Sequence, residues 1–180
     1  MYTEPKIILD LCGGTGAWSK PYLNTGYDTR LITLPFFDVC TYQPPPNVYG
    51  ILAAPPCTMF SLARQNAKTP RDMQQAMIVV AACLKIIWQC EPRFWALENP
   101  RGLLRRFLGK PAMTFKHSEF GTPLHKPTDL WGYFNPPKRL RNPVHVPLGL
   151  NRASKLYPHD PTLRARTPEM FALAFFKANP

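Results

Sequence analysis

The chain has 180 residues, enough for one domain with a real core, and its 45% hydrophobic content argues against a disordered polymer. Five cysteines, an odd number with no CxxC pair, argue against a disulfide framework or a zinc site and point to a reducing intracellular setting. The formal net charge of +11 lies almost wholly in the second half: residues 1–92 carry 7 basic and 6 acidic side chains, and residues 93–180 carry 15 and 5. That asymmetry points to a polyanionic partner, most simply nucleic acid, without distinguishing DNA from RNA.

In chain order, KIILDL (Lys6 to Leu11) reads as a strand buried on both faces, ending in a glycine-rich turn, GGTGAWS, and a short helix. DTRLITL (Asp28 to Leu34) is a second strand, stopped by Pro35, and VYGILAAP (Val48 to Pro55) a third. The main helix follows. Thr69 is its expected N-cap, with Pro70 at the first helical position and Asp72 in the first turn. Met73, Met77, Val80, Leu84, Ile87 and Trp88 recur at helical spacing, Cys83 and Cys90 read as core filler, and Glu91-Pro92 ends the helix. FWALENP (Phe94 to Pro100) is a fourth strand.

No apolar run is expected to reach the roughly 18 residues that span a membrane, since Lys85 breaks Ala76 to Trp88. The N-terminus lacks the pattern of a secretory leader. After Lys110 prolines come often and periodicity fades. Residues 111–162 are expected to hold one or two short strands among basic loops. A terminal helix should begin at Thr167-Pro168-Glu169 and bury Phe171, Ala174 and Phe175. Alternating strands and helices, with small or polar residues at the strand ends, predict an open α/β sheet with its site beyond those ends.

Three stretches carry chemistry. DLCGGTGAW lets backbone approach a ligand, yet it fits neither the phosphate-binding GxxxxGK[ST] loop nor GxGxxG. A plain structural turn is the alternative. PPC and ENP each close a strand of the same sheet, so Cys57 and Glu98 should face one pocket. A thiolate adds to an electron-poor ring carbon, and a buried carboxyl protonates a ring nitrogen. Taken singly, each could be a structural residue.

The ordered set DLCGGTGAW, APPCTMFS, ENP, then FGTPLHKPTDLWGYF (Phe120 to Phe134) and RARTPEMFA (Arg164 to Ala172) resembles the cytosine-C5 methyltransferases over nearly the whole chain. The resemblance implies a Rossmann-like α/β sheet of the class I S-adenosylmethionine-dependent methyltransferases, with helices on both faces and a short, basic, Pro-rich C-terminal part. It implies one domain: a cofactor and catalytic core over 1–110, a nucleic-acid-facing part over 111–162, and a helix over 163–180 returning to the core. Cys57 would attack C6 of a flipped cytosine, Glu98 would protonate or hydrogen-bond N3, Asn99 would help hold the loop, and Lys126 would offer charge to the base carbonyl or a nearby phosphate. An electropositive setting would activate Cys57. S-adenosylmethionine would lie along Asp10, Leu11, Cys12, Gly14, Gly16, Trp18 and Pro55, with Asp38 toward the adenine.

The sequence also departs from the family. Cys12 replaces Phe, Ala17 replaces a glycine, Ile32-Thr33-Leu34 lacks an acid for the ribose, and Pro100 follows Glu98-Asn99. Leu124, Lys126 and Thr128 stand at the Gln, Arg, Arg positions, and lysine lacks the planar fork of arginine. Only Asn135 to Leu163 stands in place of a recognition region. Ser61, Arg64, Arg101, Lys138, Arg139 and Arg141 are the expected nucleic-acid contacts. They predict DNA binding, double- or single-stranded, with weak sequence preference and strong salt dependence. The expected protein is a compact, cytoplasmic enzyme of phage or mobile-element type, taken as a monomer. Two alternatives stand: methylation of RNA or free-nucleotide cytosine, and a catalytically weakened nucleic-acid-binding relative.

Overall fold

A computed structural model describes residues 4–64, 67–146, 160 and 165–180. At its centre is a six-stranded sheet with the order β2-β1-β3-β4-β6-β5. The strands are β1 (Ile7–Leu11), β2 (Asp28–Ile32), β3 (Val48–Ala53), β4 (Phe94–Pro100), β5 (Met113–Lys116) and β6 (Pro127–Tyr133). The first four run parallel, while β6 runs antiparallel to both β4 and β5. The described helices are α1 (Lys20–Asn24), α2 (Met73–Cys90), α3 (Arg105–Leu108) and α4 (Glu169–Ala178).

Strands β1 and β3 show no polar alternation because both their faces are covered. On one face Leu9, Leu11, Ile51 and Leu97 meet Val80, Cys83, Ile86 and Ile87 of α2. On the other, Ile8, Leu52, Phe94 and Leu130 meet Trp18, Tyr22 of α1, and Phe171, Ala172 and Phe175 of α4. Phe171 is the hub of that layer: its ring stacks on Phe115 with centroids 4.3 Å apart and meets the Phe120 ring edge-on at 5.1 Å. The chain end is tied to the same layer, as the Tyr22 hydroxyl donates to the Asn179 carbonyl at 2.8 Å.

Several expectations need correction. Helix α2 starts three residues later than expected, with Asp72 as N-cap accepting from the Gln75 N–H at 2.9 Å. Thr69 cannot serve, because its hydroxyl is taken by the Arg64 guanidinium at 2.6 Å. The buried stripe of α2 centres on Val80, Cys83 and Ile87, which leaves Trp88 about 100° further round and 84% exposed. In α4 the residue buried beside Phe171 and Phe175 is Ala172 rather than Ala174. Helix α2, at 18 residues, does have the length and apolar composition of a membrane span, contrary to expectation, although its apolar face lies on the sheet. The expected basic segment through 162 falls partly outside the described residues.

The topology positions the site. Strands β1, β3 and β4 all end at one sheet edge. Strand β6, running the other way, begins there. Residues just after β1 and β3, at the end of β4, and just before β6 therefore converge.

Candidate active site

The β1 end supplies a tight backbone cradle. Cys12 takes a positive φ of 58°, and its N–H donates to the Ile32 carbonyl at 2.7 Å. A Cβ at Gly13 would overlap the Asp10 carboxylate, so the turn can close over Asp10 only with glycine there. Asp10 is fully buried; its Oδ2 accepts from the Ser19 hydroxyl at 2.6 Å, and its Oδ1 has no partner. Burial pushes its carboxyl up to about 6 against the pull of the Ser19 bond.

Beyond β3, the Pro55-Pro56 turn presents Cys57. The Cys57 carbonyl accepts from the Phe60 and Ser61 N–H groups at 3.0 and 2.9 Å. Arg71 clamps the same loop through the Met59 and Ser61 carbonyls. Asn99 is fully buried and its amide donates to the Pro55 carbonyl at 3.0 Å, joining the β4 end to the cysteine turn. Gly102 lies so close to the Phe60 carbonyl that a Cβ would collide with it. The Leu103 N–H donates to that same carbonyl at 2.9 Å.

These elements frame an open cleft of about 210 Å³. Cys12 to Thr15 form one wall, Ala54 to Cys57 the next, and Glu98, Pro100, Lys126 and Ala165 to Thr167 the remainder. Cys57, Glu98 and Lys126 thus share one cavity with the glycine turn, as do Cys12, Gly14 and Pro55.

The electrostatics differ from expectation. Burial pushes the Cys57 thiol up, the Glu98 charge pushes it further, and Lys126 pulls it down only in part. In the free site the cost of burial thus outweighs the pull of Lys126 on the thiol. Burial raises the Glu98 carboxyl too, with Lys126 opposing and Asp129 adding to the rise. The His117 imidazole, buried and near Lys126, is held well below its usual range and faces Thr128 Oγ1 at 3.3 Å.

Other predicted residues stand elsewhere. Leu11 is core, and Trp18 is buried against Phe171 and Phe175, outside the cleft lining. Gly16, at φ 68°, belongs to the turn but not to the cleft wall. Asp38 is exposed and its carboxylate accepts from the Cys40 N–H at 2.9 Å; it does not line the cleft but lies close enough to Cys12 of the cleft wall to act on its thiol. Arg64 turns inward onto Thr69 and Pro70, and Arg139 pairs with Glu119 at 3.0 Å. Ser61 Oγ accepts from the Ala63 N–H, while Arg101, Lys138 and Arg141 are exposed. Sequence reasoning passed over Thr15, Arg166 and Thr167 as site residues. The RARTP stretch was the available signal, since it was matched as a motif without being placed in the cleft.

No protein-family profile and no curated protein sequence matches the chain. Solved structures do. One is a DNA modification methyltransferase encoded within an Escherichia coli prophage, 17% identical with a TM-score of 0.54. The match covers 78% of this chain and 53% of that one, so the chain spans about half the length of that protein. Another is a methyltransferase of Entamoeba histolytica, 10% identical over 85% of this chain and 60% of that one, with a TM-score of 0.43. The strand order and the first of these likenesses together identify the fold as the α/β Rossmann-like methyltransferase fold.

Proposed function

We infer that this chain transfers a methyl group from S-adenosylmethionine to C5 of cytosine in DNA. The observation that carries the reading is the meeting of Cys57 and Glu98 in one cleft whose opposite wall is the glycine turn. The residues fit such a cofactor at the turn. Cys12 to Thr15 and Pro55 would hold it, above the buried Asp10 whose Oδ1 lacks a partner. The missing acid at the β2 end leaves the ribose side less well served. When bound, the cofactor supplies an electrophilic methyl group.

The protein's own groups account for the rest. Cys57, its proton passed to solvent, adds as the thiolate to C6 of the ring while Glu98 delivers a proton to N3, which makes C5 nucleophilic. Burial raises the Glu98 carboxyl, which favours the proton-bearing form that this step needs. Protonated Glu98 no longer adds to the rise of the thiol, which burial still holds up while Lys126 lowers it. Asn99 fixes the Pro55 carbonyl and hence the direction of Cys57. C5 takes the methyl group, a base removes the C5 proton, the C5–C6 double bond re-forms as Cys57 leaves, and the N3 proton returns to Glu98. The exposed Lys138, Arg141 and Arg101 would hold the phosphate backbone, and a cytoplasmic site of action follows from the same reading.

The test is transfer of labelled methyl from S-adenosylmethionine to duplex DNA, single-stranded DNA, tRNA and dCMP in parallel. Label in DNA that Cys57→Ala abolishes, with a covalent adduct on 5-fluorocytosine DNA, is the expected result. Label only in RNA or dCMP moves the substrate. The raised thiol favours a second reading, a nucleic-acid-binding relative with weakened catalysis. That reading predicts DNA retardation with no label and no adduct.

A further inference from the structure

Asp129 is fully buried, lies on β6, and has no part in the chemistry above. It is among the most heavily bonded side chains in the protein. Arg105 Nε donates to its Oδ2 at 2.6 Å and Arg105 Nη2 to its Oδ1 at 2.6 Å, a fork on both oxygens. The Thr114 hydroxyl donates to Oδ1 at 2.7 Å and accepts from Arg105 at 3.0 Å. A two-bond arginine–carboxylate pair fixes angle as well as distance.

The place of this pair matters more than its strength. Arg105 opens α3, five residues beyond Pro100, and Asp129 lies directly across from Asn99 in the β4–β6 register. The segment between them, Arg101 to Leu104, is stitched to all three chemistry-bearing elements. The Arg101 N–H donates to the Pro127 carbonyl at 2.9 Å, beside Lys126. The Leu103 N–H donates to the Phe60 carbonyl at 2.9 Å, and Gly102 bridges to Ser61, both in the Cys57 loop. Its start is the Glu98-Asn99-Pro100 turn itself.

We propose that the Arg105–Asp129 pair is a positioning device, holding the Glu98 strand, the Lys126 strand and the Cys57 loop in one frame and keeping the Asp129 charge compensated on the sheet face opposite Glu98. The inference deepens the methyl-transfer reading and rests on it for its kinetic arm only. The charged groups acting on Glu98 are Lys126 just before β6 and Asp129 on β6; Cys57 faces it from the β3 turn, and Arg166 lines the same cleft. Arg105 acts through Asp129. The Asp129 charge is the smallest of the causes acting on the Glu98 carboxyl, after burial and Lys126, and the Arg105 guanidinium holds that charge paired at 2.6 Å.

The test compares Asp129→Asn, Arg105→Gln, the double variant and Arg105→Lys by kinetics and by carbon-13 titration of the Glu98 carboxyl in the ligand-free protein. Asp129→Asn leaves Arg105 uncompensated, so the Glu98 titration and the alkaline limb of kcat move to lower pH. Arg105→Gln moves both to higher pH, and the double variant returns them toward wild type. Arg105→Lys keeps the charge and loses the fork. It leaves the limb in place while kcat falls on the order of 10- to 100-fold, as misplacement of reacting groups does, with KM little changed. A purely structural pair would lower folded yield or kcat without moving the titration. An unmoved Glu98 titration in folded Asp129→Asn overturns the proposal even in an active enzyme. A moved titration in a protein that methylates nothing overturns only the functional reading.

Discussion

Asp10→Asn tests the most unusual charge in the fold. The wild-type carboxyl is fully buried, has one hydrogen bond and one unpartnered oxygen, and titrates at about 6 instead of the ordinary 3.8. A folded-state value above the unfolded one means stability is greatest below pH 4 and is lost as pH rises through 6. About two units at about 1.4 kcal/mol each put the cost of ionised Asp10 near 3 kcal/mol at neutral pH. Asparagine keeps the shape and an oxygen for the Ser19 hydroxyl and carries no charge. The stability of Asp10→Asn relative to wild type should therefore grow by about 2.4 kcal/mol between pH 4 and pH 8, roughly 5–10 °C in Tm for a domain of this size. Any constant cost of the buried amide cancels in that comparison. Urea unfolding of both proteins at four or five pH values measures it. A difference that stays flat with pH, or shrinks, would refute the burial argument. The same variant should bind S-adenosylmethionine more weakly, since the unpartnered oxygen beneath the turn is gone.

Two further substitutions probe packing. Phe171→Ala empties the hub between Phe115, Phe120 and Trp18 and should cost about 3–5 kcal/mol in chemical denaturation; a loss under 1 kcal/mol would mean that α4 contributes little to the core. Gly102→Ala drives a methyl group into the Phe60 carbonyl and should cost about 1–3 kcal/mol. Because that carbonyl belongs to the Cys57 loop, methyl transfer should fall further than the stability loss explains, and a fully active variant would show that the loop tolerates the shift.

The parts of the fold that were legible were those with a strong local pattern. KIILDL, VYGILA and FWALENP are continuous apolar runs, and their order along the chain already implied that Cys57 and Glu98 would meet. Element edges were less legible where a side chain had two possible partners. Thr69 has the chemistry of a cap but is taken by Arg64, a contact between elements that spacing does not reveal. Trp88 suits a core by composition, yet only the rotation of α2 on the sheet decides that it faces outward. The electrostatics were hardest to read. Cys57 was expected to benefit from nearby cations, while in the structure burial and Glu98 outweigh Lys126. Arg105 and Asp129 were invisible as a pair because the register of β6, which joins them, is a tertiary fact.

The reversed direction of β6 has a consequence for how this protein could change over evolutionary time. The chain leaves the sheet after Tyr133 at the edge opposite the cleft, where the Asn135 N–H donates to Asn179 Oδ1 at 2.7 Å and the Asn179 amide donates to the Asn135 carbonyl at 3.0 Å. It comes back to the cleft at Ala165 to Thr167, and α4 then carries it to the Asn135 edge again. Among the described residues of the stretch after Asn135, Arg139, Leu140 and Val144 are tied to Thr114, Glu119 and Ser118 at the β5 edge of the sheet, and residues 138–146 belong to neither core layer. A lineage could exchange residues 138–146 to alter the surface beside β5 while Cys57, Glu98 and the glycine turn stay where they are.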